Sequence, residues 1–322
     1  MIEDGEEVNR RDHVGRTPLH VAIYSHSVEV GCVLIDAGAR MSARLVGGRT
    51  SLHLAAQMGQ VVLVKKMLER SAYNKEKAEE KGKMEERATV EDTEGLHMSG
   101  DDDWSSEESD DEKPYREPPA NKDDPEKDRD PLEDNEEEPD VLDTSIPDWD
   151  FGYTPLAFAI LSGSLEVVDT LLTAGADPSL VVNYAKGQDL NTEKAGTLHP
   201  LALTIYAHDE ERAAKIAERL IAAKAISSTA DESLFTIFHR IVSAGKTKIV
   251  ASLLAHDANA KKVLNSPTWR DSALLFPIVS TILTGDYATM SLLLAHGAKL
   301  TYSSEDVFRA EERKRYAKQH YL

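Results

Sequence analysis

One cysteine, Cys32, is all the thiol chemistry in the 322-residue chain. That excludes an internal disulfide framework and fits a reducing compartment. Cys32 lies in a helical apolar run, Val30-Gly31-Cys32-Val33-Leu34, without a partner cysteine, so neither a metal nor a nucleophilic role is indicated. No apolar run approaches the roughly eighteen residues that span a membrane. The opening Met1-Ile2-Glu3-Asp4-Gly5 lacks the basic and apolar regions of a secretory leader. A soluble chain of the cytoplasm or nucleus is therefore expected. Aromatic residues amount to 6%, too few for an aromatic-centred globule but enough where small aliphatic side chains pack between repeated units. A phosphate-cradling glycine loop, paired metal-ligand motifs and a nucleophile elbow are all missing from the sequence. No catalytic residue, cofactor or metal is expected.

What the chain has in excess is negative charge, in one place. The formal net charge is -20. Residues 71–150 hold 31 Asp and Glu against 10 Lys and Arg, and the remainder holds 26 against 27. The folded parts are thus nearly neutral, which argues against direct nucleic-acid binding, since phosphate contacts need clustered bases.

Aligning the chain with itself gives its organisation. Gly15-Arg16-Thr17-Pro18-Leu19-His20-Val21-Ala22 returns 33 residues later as Gly48-Arg49-Thr50-Ser51-Leu52-His53-Leu54-Ala55. A third copy is Gly152-Tyr153-Thr154-Pro155-Leu156-Ala157-Phe158-Ala159. A helical apolar stripe and a glycine stop follow, as in Val167, Val168, Leu171, Leu172 and Gly175. Weaker copies start near residues 199, 236 and 276, the first of these with extra residues in its inter-helix turn. Proline at a helix start forfeits no hydrogen bond, and the preceding threonine can cap an orphan amide.

The motif resembles the ankyrin repeat, whose pattern runs G-x-T-P-L-H-x-A, a turn glycine, then V-x-x-L-L-x-x-G-A-D. The resemblance implies an all-α solenoid of about six helix-turn-helix units interrupted by a long disordered acidic insertion. Its expected divisions are residues 1–70 (units one and two), 71–148 (insertion), 149–300 (units three to six) and 301–322 (a capping helix or tail). Gly5 to Asp12 matches the loop between repeats without its preceding helices, so a longer array is expected. His20, His53 and His239 recur at one motif position. The resemblance makes them ties between neighbouring backbones rather than metal ligands.

In the insertion, like charges and prolines do not offset the entropy of folding. Residues 75–88 can extend unit two as a short charged helix, with the rest disordered. The acidic arm, with Trp104 as an anchor, suits basic protein surfaces. Ser105, Ser106 and Ser109 are followed by acids in the way acidophilic kinases require.

Ankyrin proteins bind other proteins on the face made by loop tips and the exposed end of each first helix. Carried over by position, this nominates His13, Val14, Arg16, Tyr24 and Ser25 in unit one. Unit two gives Val46, Arg49, Gln57 and Met58. Unit three gives Asp150, Phe151, Tyr153, Leu161 and Ser162, and unit four Tyr206. The expected function is a non-catalytic binding scaffold. The layout also looks somewhat like the ankyrin region of fungal multidomain proteins ending in a poly(ADP-ribose) polymerase domain, which implies the alternative of a regulatory module of a larger enzyme.

Overall fold

The computed structural model describes residues 7–94, 138–184, 196–230, 235–270 and 273–305, with a few positions beyond. Among them the helices come in pairs: α1 (Pro18–Tyr24) with α2 (Val28–Asp36), α3 (Ser51–Gln57) with α4 (Val61–Glu94), and α5 (Pro155–Ser162) with α6 (Leu165–Thr173). The series continues with α7 (Pro200–Leu203) and α8 (Glu210–Ala222), then α9 (Ile237–Ser243) and α10 (Thr247–His256). A short α11 (Ala258–Val263) precedes the last pair, α12 (Pro277–Thr284) and α13 (Tyr287–Ala295). Each first helix packs on the first helix of the next unit, and one apolar core runs unbroken from Leu19 to Ala298. The helical solenoid of six units is as expected. Its loops also carry two short antiparallel hairpins: Val182–Tyr184 with Gly196–Leu198, and Thr268–Arg270 with Ala273–Leu275.

In units one, three and five the threonine that opens the motif caps its helix. The side chains of Thr17, Thr154 and Thr236 accept bonds from the amides of His20, Ala157 and His239. Unit four departs from expectation. Its inter-helix turn, Ala207 to Asp209, is ordinary, and the additional residues instead lengthen α8 to 13 residues.

The insertion begins where a stop is missing. Gly38 and Gly175 end the second helices of units one and three with φ of 90° and 92°, a conformation a side chain resists. The equivalent position in unit two is Ser71, so nothing halts the helix and α4 runs for 34 residues to Glu94. The expected extension over 75–88 is thus observed and exceeded. From Ala72 onward its side chains are mainly exposed as far as Met84.

The far end of the insertion also differs from the expectation of disorder. Residues 138–148 lie against units one and two. The Asp140 carboxylate accepts from the amides of Met41 (2.8 Å) and Ser42 (2.9 Å), and the Asn74 side chain donates to the Asp140 carbonyl at 2.9 Å. The amide of Leu142 donates to Ser71 Oγ at 2.8 Å, and the Leu142 side chain packs against the core. Residues 142–148 thereby fill the loop that in unit one follows helix α2 directly. Residues 95–137, including Trp104, Ser105, Ser106 and Ser109, lie outside the described residues, as does most of the expected cap over 301–322.

Candidate functional site: the loop tips and first helices of units one to three

The histidines set the loop tips at fixed height. In unit two His53 Nδ1 accepts the Thr50 amide at 3.1 Å and meets Thr50 Oγ1 at 2.9 Å. An acceptor at Nδ1 leaves the proton on Nε2, which donates to the Ile146 carbonyl at 3.0 Å. In unit five His239 meets Thr236 Oγ1 at 2.7 Å and the Ser266 carbonyl at 2.8 Å. In unit one Nδ1 again accepts the Thr17 amide. Nε2 there makes no bond of full hydrogen-bond geometry, although the Ala43 backbone at the matching place still favours a protonated ring. Burial outweighs this, and the imidazoles of His20 and His53 are each held down at about 4. Both stay neutral, and each serves its own pair of neighbours along the stack.

Unit two and unit three meet at their loop tips. Asp148, whose side chain is wholly buried, accepts the amides of Phe151 (3.2 Å) and Tyr153 (2.7 Å). Its second oxygen takes Arg49 Nε at 3.3 Å. The Arg49 guanidinium reaches Gln57 at 3.5 Å and lies 4.9 Å from the Phe158 ring and 5.8 Å from Phe151. Asp12 repeats the device in unit one. It accepts the amides of Val14 and Arg16 and pairs with the Arg16 guanidinium at 2.8 Å. The Arg16 amide is the chief cause of an Asp12 carboxyl held at about 2.

Trp149 completes the junction. Its amide donates to the Gly47 carbonyl at 2.8 Å, and the Arg44 guanidinium sits 5.1 Å from its ring. The indole lies over Gly48, where a Cβ would come within 2.3 Å of the ring. Only a glycine lets the two tips approach this closely. Sequence reasoning passed over Trp149 and Arg44. An aromatic beside Asp150 and Phe151 in a loop tip was the available signal.

The structure sorts the nominated residues into groups. His13, Val14, Tyr24, Ser25, Val46, Gln57, Asp150, Phe151, Ser162 and Tyr206 are exposed. Arg49, Gln57 and Phe151 come together across the junction, with Val46 and Asp150 on the same two tips. Arg16 and Arg49 are half-buried in their ion pairs, and Met58 and Leu161 are half-buried against the core. Ser162 donates to the Ala56 and Ala159 carbonyls. Tyr153 differs from its nomination as an interface anchor. It is 9% exposed, edge-on to Phe158 at 5.6 Å and beside Phe151 at 5.6 Å, because the stacking of unit three on unit two draws its ring inward. Its role is to support Phe151.

Paired helices stacked in series, with loop tips tied by threonine and histidine, define the class as a helix-turn-helix solenoid. Family comparison assigns the kind of repeat. The description "Ankyrin repeats (3 copies)" matches residues 1–78, and "Ankyrin repeat" matches residues 151–183. Residues 1–78 and 151–183 are thus ankyrin repeats. Among solved structures the chain is similar to the human ASB11 ankyrin repeat domain, 18% identical over 89% of this chain and 86% of that one, with a TM-score of 0.51. Similarity extends to the ankyrin repeat protein EF0377, 16% identical over 80% and 89%, with a TM-score of 0.48. It extends also to the ankyrin repeat domain of Bcl-3, 17% identical over 86% and 83%, with a TM-score of 0.49. Likeness at such identity concerns the fold and not the partner. Among the described residues no helix is long and apolar enough to cross a membrane, and no group of three His, Cys, Asp or Glu could hold a metal ion.

Proposed function

We propose that this chain is a non-catalytic protein-binding scaffold of the cell interior whose partner docks on the loop tips and first helices of units one to three. The carrying observation is the junction patch: Val46, Trp149 and Phe151 are exposed on two tips joined by hydrogen bonds and braced from beneath by the ion pair of buried Asp148 with half-buried Arg49. Aromatic side chains on a rigid base lose little conformational entropy when covered, and such residues dominate interface energies. Val14 and Tyr24 extend the same face into unit one, and Tyr206 continues it into unit four. The acidic arm is a second contact, for basic protein surfaces, and its charge is deepened when Ser105, Ser106 and Ser109 are phosphorylated. The alternative of a regulatory region of a larger enzyme, such as an ADP-ribosyltransferase, rests on the layout of repeats and acidic insertion alone.

The test is affinity capture from lysate with quantitative mass spectrometry, in three arms: the unchanged chain, a Trp149→Ala/Phe151→Ala variant, and a chain lacking residues 95–137. Loss of each aromatic anchor is worth roughly 1–3 kcal/mol, so the leading partner should fall at least tenfold in the second arm. Basic partners should fall in the third, and treating the first with an acidophilic kinase should add mass at Ser105, Ser106 or Ser109. Equal recovery of every protein in all arms overturns both surfaces.

A further inference from the structure

We infer, resting on the docking face proposed above, that its centre takes an arginine side chain of the partner, held by the Asp150 carboxylate and the exposed rings of Trp149 and Phe151. The molecule already contains a filled version of such a site. Arg49 meets the Asp148 carboxylate at 3.3 Å, and its guanidinium lies 4.9 Å from the Phe158 ring and 5.8 Å from that of Phe151. Arg44 likewise sits 5.1 Å from the Trp149 ring, with Asp143 near enough to favour its charge. A planar guanidinium suits both kinds of contact at once, since its edge donates to a carboxylate while its face covers a ring.

A second set of the same composition lacks its cation. Asp150 stands between Trp149 and Phe151 on the tip of unit three, and all three are exposed, the indole by 46% and the phenyl by 42%. A Cβ on Gly48 would strike the indole, and one on Gly47 the Asp150 carboxylate, so these two side chains lie next to each other over the tip of unit two. Among the described residues, nothing gives that carboxylate a hydrogen bond or an ion pair. An unpaired surface carboxylate is ordinary by itself. Its place between two exposed rings, on a tip fixed by the Trp149 and Tyr153 amide bonds, is what makes it a receptor.

The charge balance favours the same occupant. On the tips of units two and three, Arg44 and Arg49 face Asp143, Asp148 and Asp150, which leaves one negative charge, and the exposed Asp150 carries it. Residues 71–150, with 31 acids against 10 bases, end at this tip, so the chain that leads into it is itself acidic. A lysine would answer the charge but offers the rings no flat face. Val46, 72% exposed on the facing tip, supplies an apolar surface for the side chain next to that arginine. The partner's chemistry is thus an arginine beside an apolar residue on an exposed segment.

A random peptide library displayed on phage tests this, selected on the full chain after depletion on its Trp149→Ala/Phe151→Ala variant. Circular dichroism identical to the parent verifies the fold of each variant. The binders recovered should share an arginine at one position, next to an apolar residue. Replacing that arginine by citrulline, which keeps the shape and loses the charge, should weaken a synthetic binder about tenfold. Asp150→Asn in the chain should weaken the arginine peptide by a similar factor and the citrulline peptide hardly at all. Binders without a shared arginine, or with an affinity indifferent to Asp150, overturn this inference while the docking face stands. A library that yields no binder dependent on Trp149 and Phe151 overturns both.

Discussion

Thr17 with His20, and Thr50 with His53, place neutral imidazoles where protonation is opposed by burial. An ordinary histidine in the unfolded chain titrates near 6.5, whereas these two titrate at about 4 when folded. Below 6.5 the unfolded chain therefore takes up protons that the native rings do not, and stability falls as the pH falls towards 4. Above 6.5 the full contribution is present. The loss at pH 5 is about 2 kcal/mol per ring, from the ordinary cost of a one-unit displacement. Denaturant midpoints should consequently drop between pH 7.5 and pH 5, and a His20→Gln/His53→Gln variant should show a flatter dependence over that interval. An equal slope in parent and variant would contradict the assignment. The same side chains illustrate what local sequence conveys. The threonine–histidine pair is read at once, because its bonds span three residues. The inward turn of Tyr153 is not, because Phe158 and the unit behind it decide where that ring goes.

At the level of elements, the instructive case is α4 and the segment that returns to it. A serine at residue 71, twenty-one positions after Thr50, occupies the place where units one and three stop on glycine, so continuation of the helix was legible in the sequence. The docking of residues 138–148 was not. Its acidic composition matched the rest of the insertion, and its bonds join positions as much as 103 residues apart. Loop closure over such a span is entropically opposed, and the Asp140 carboxylate, the Leu142 side chain and the Asn74 amide offset it together. Asp140→Ala removes the acceptor for two amides and should reduce stability by about 1–2 kcal/mol. Hydrogen exchange at Met41 and Ser42 should accelerate about tenfold in step with that loss. Exchange at these two amides that matches the parent would show that the return segment holds nothing in place.

For the whole molecule, the consequence is that two sequence blocks separated by an acidic insertion make one stack. α3 packs on α5 and α4 on α6 as closely as in uninterrupted neighbours, and the loop supporting Trp149 and Phe151 is supplied by the far end of the insertion. Stability in such arrays is a sum over units and the interfaces between them. Removing the insertion while keeping its two anchored ends should therefore leave that sum nearly unchanged. Asn74 and Asp140 are in hydrogen-bond contact, so a few glycines can join them in place of residues 75–139. Calorimetry of this shortened chain tests the central claim directly. The account predicts one cooperative unfolding transition within a few degrees of the parent. Two separated transitions, one for each side of the insertion, would contradict it.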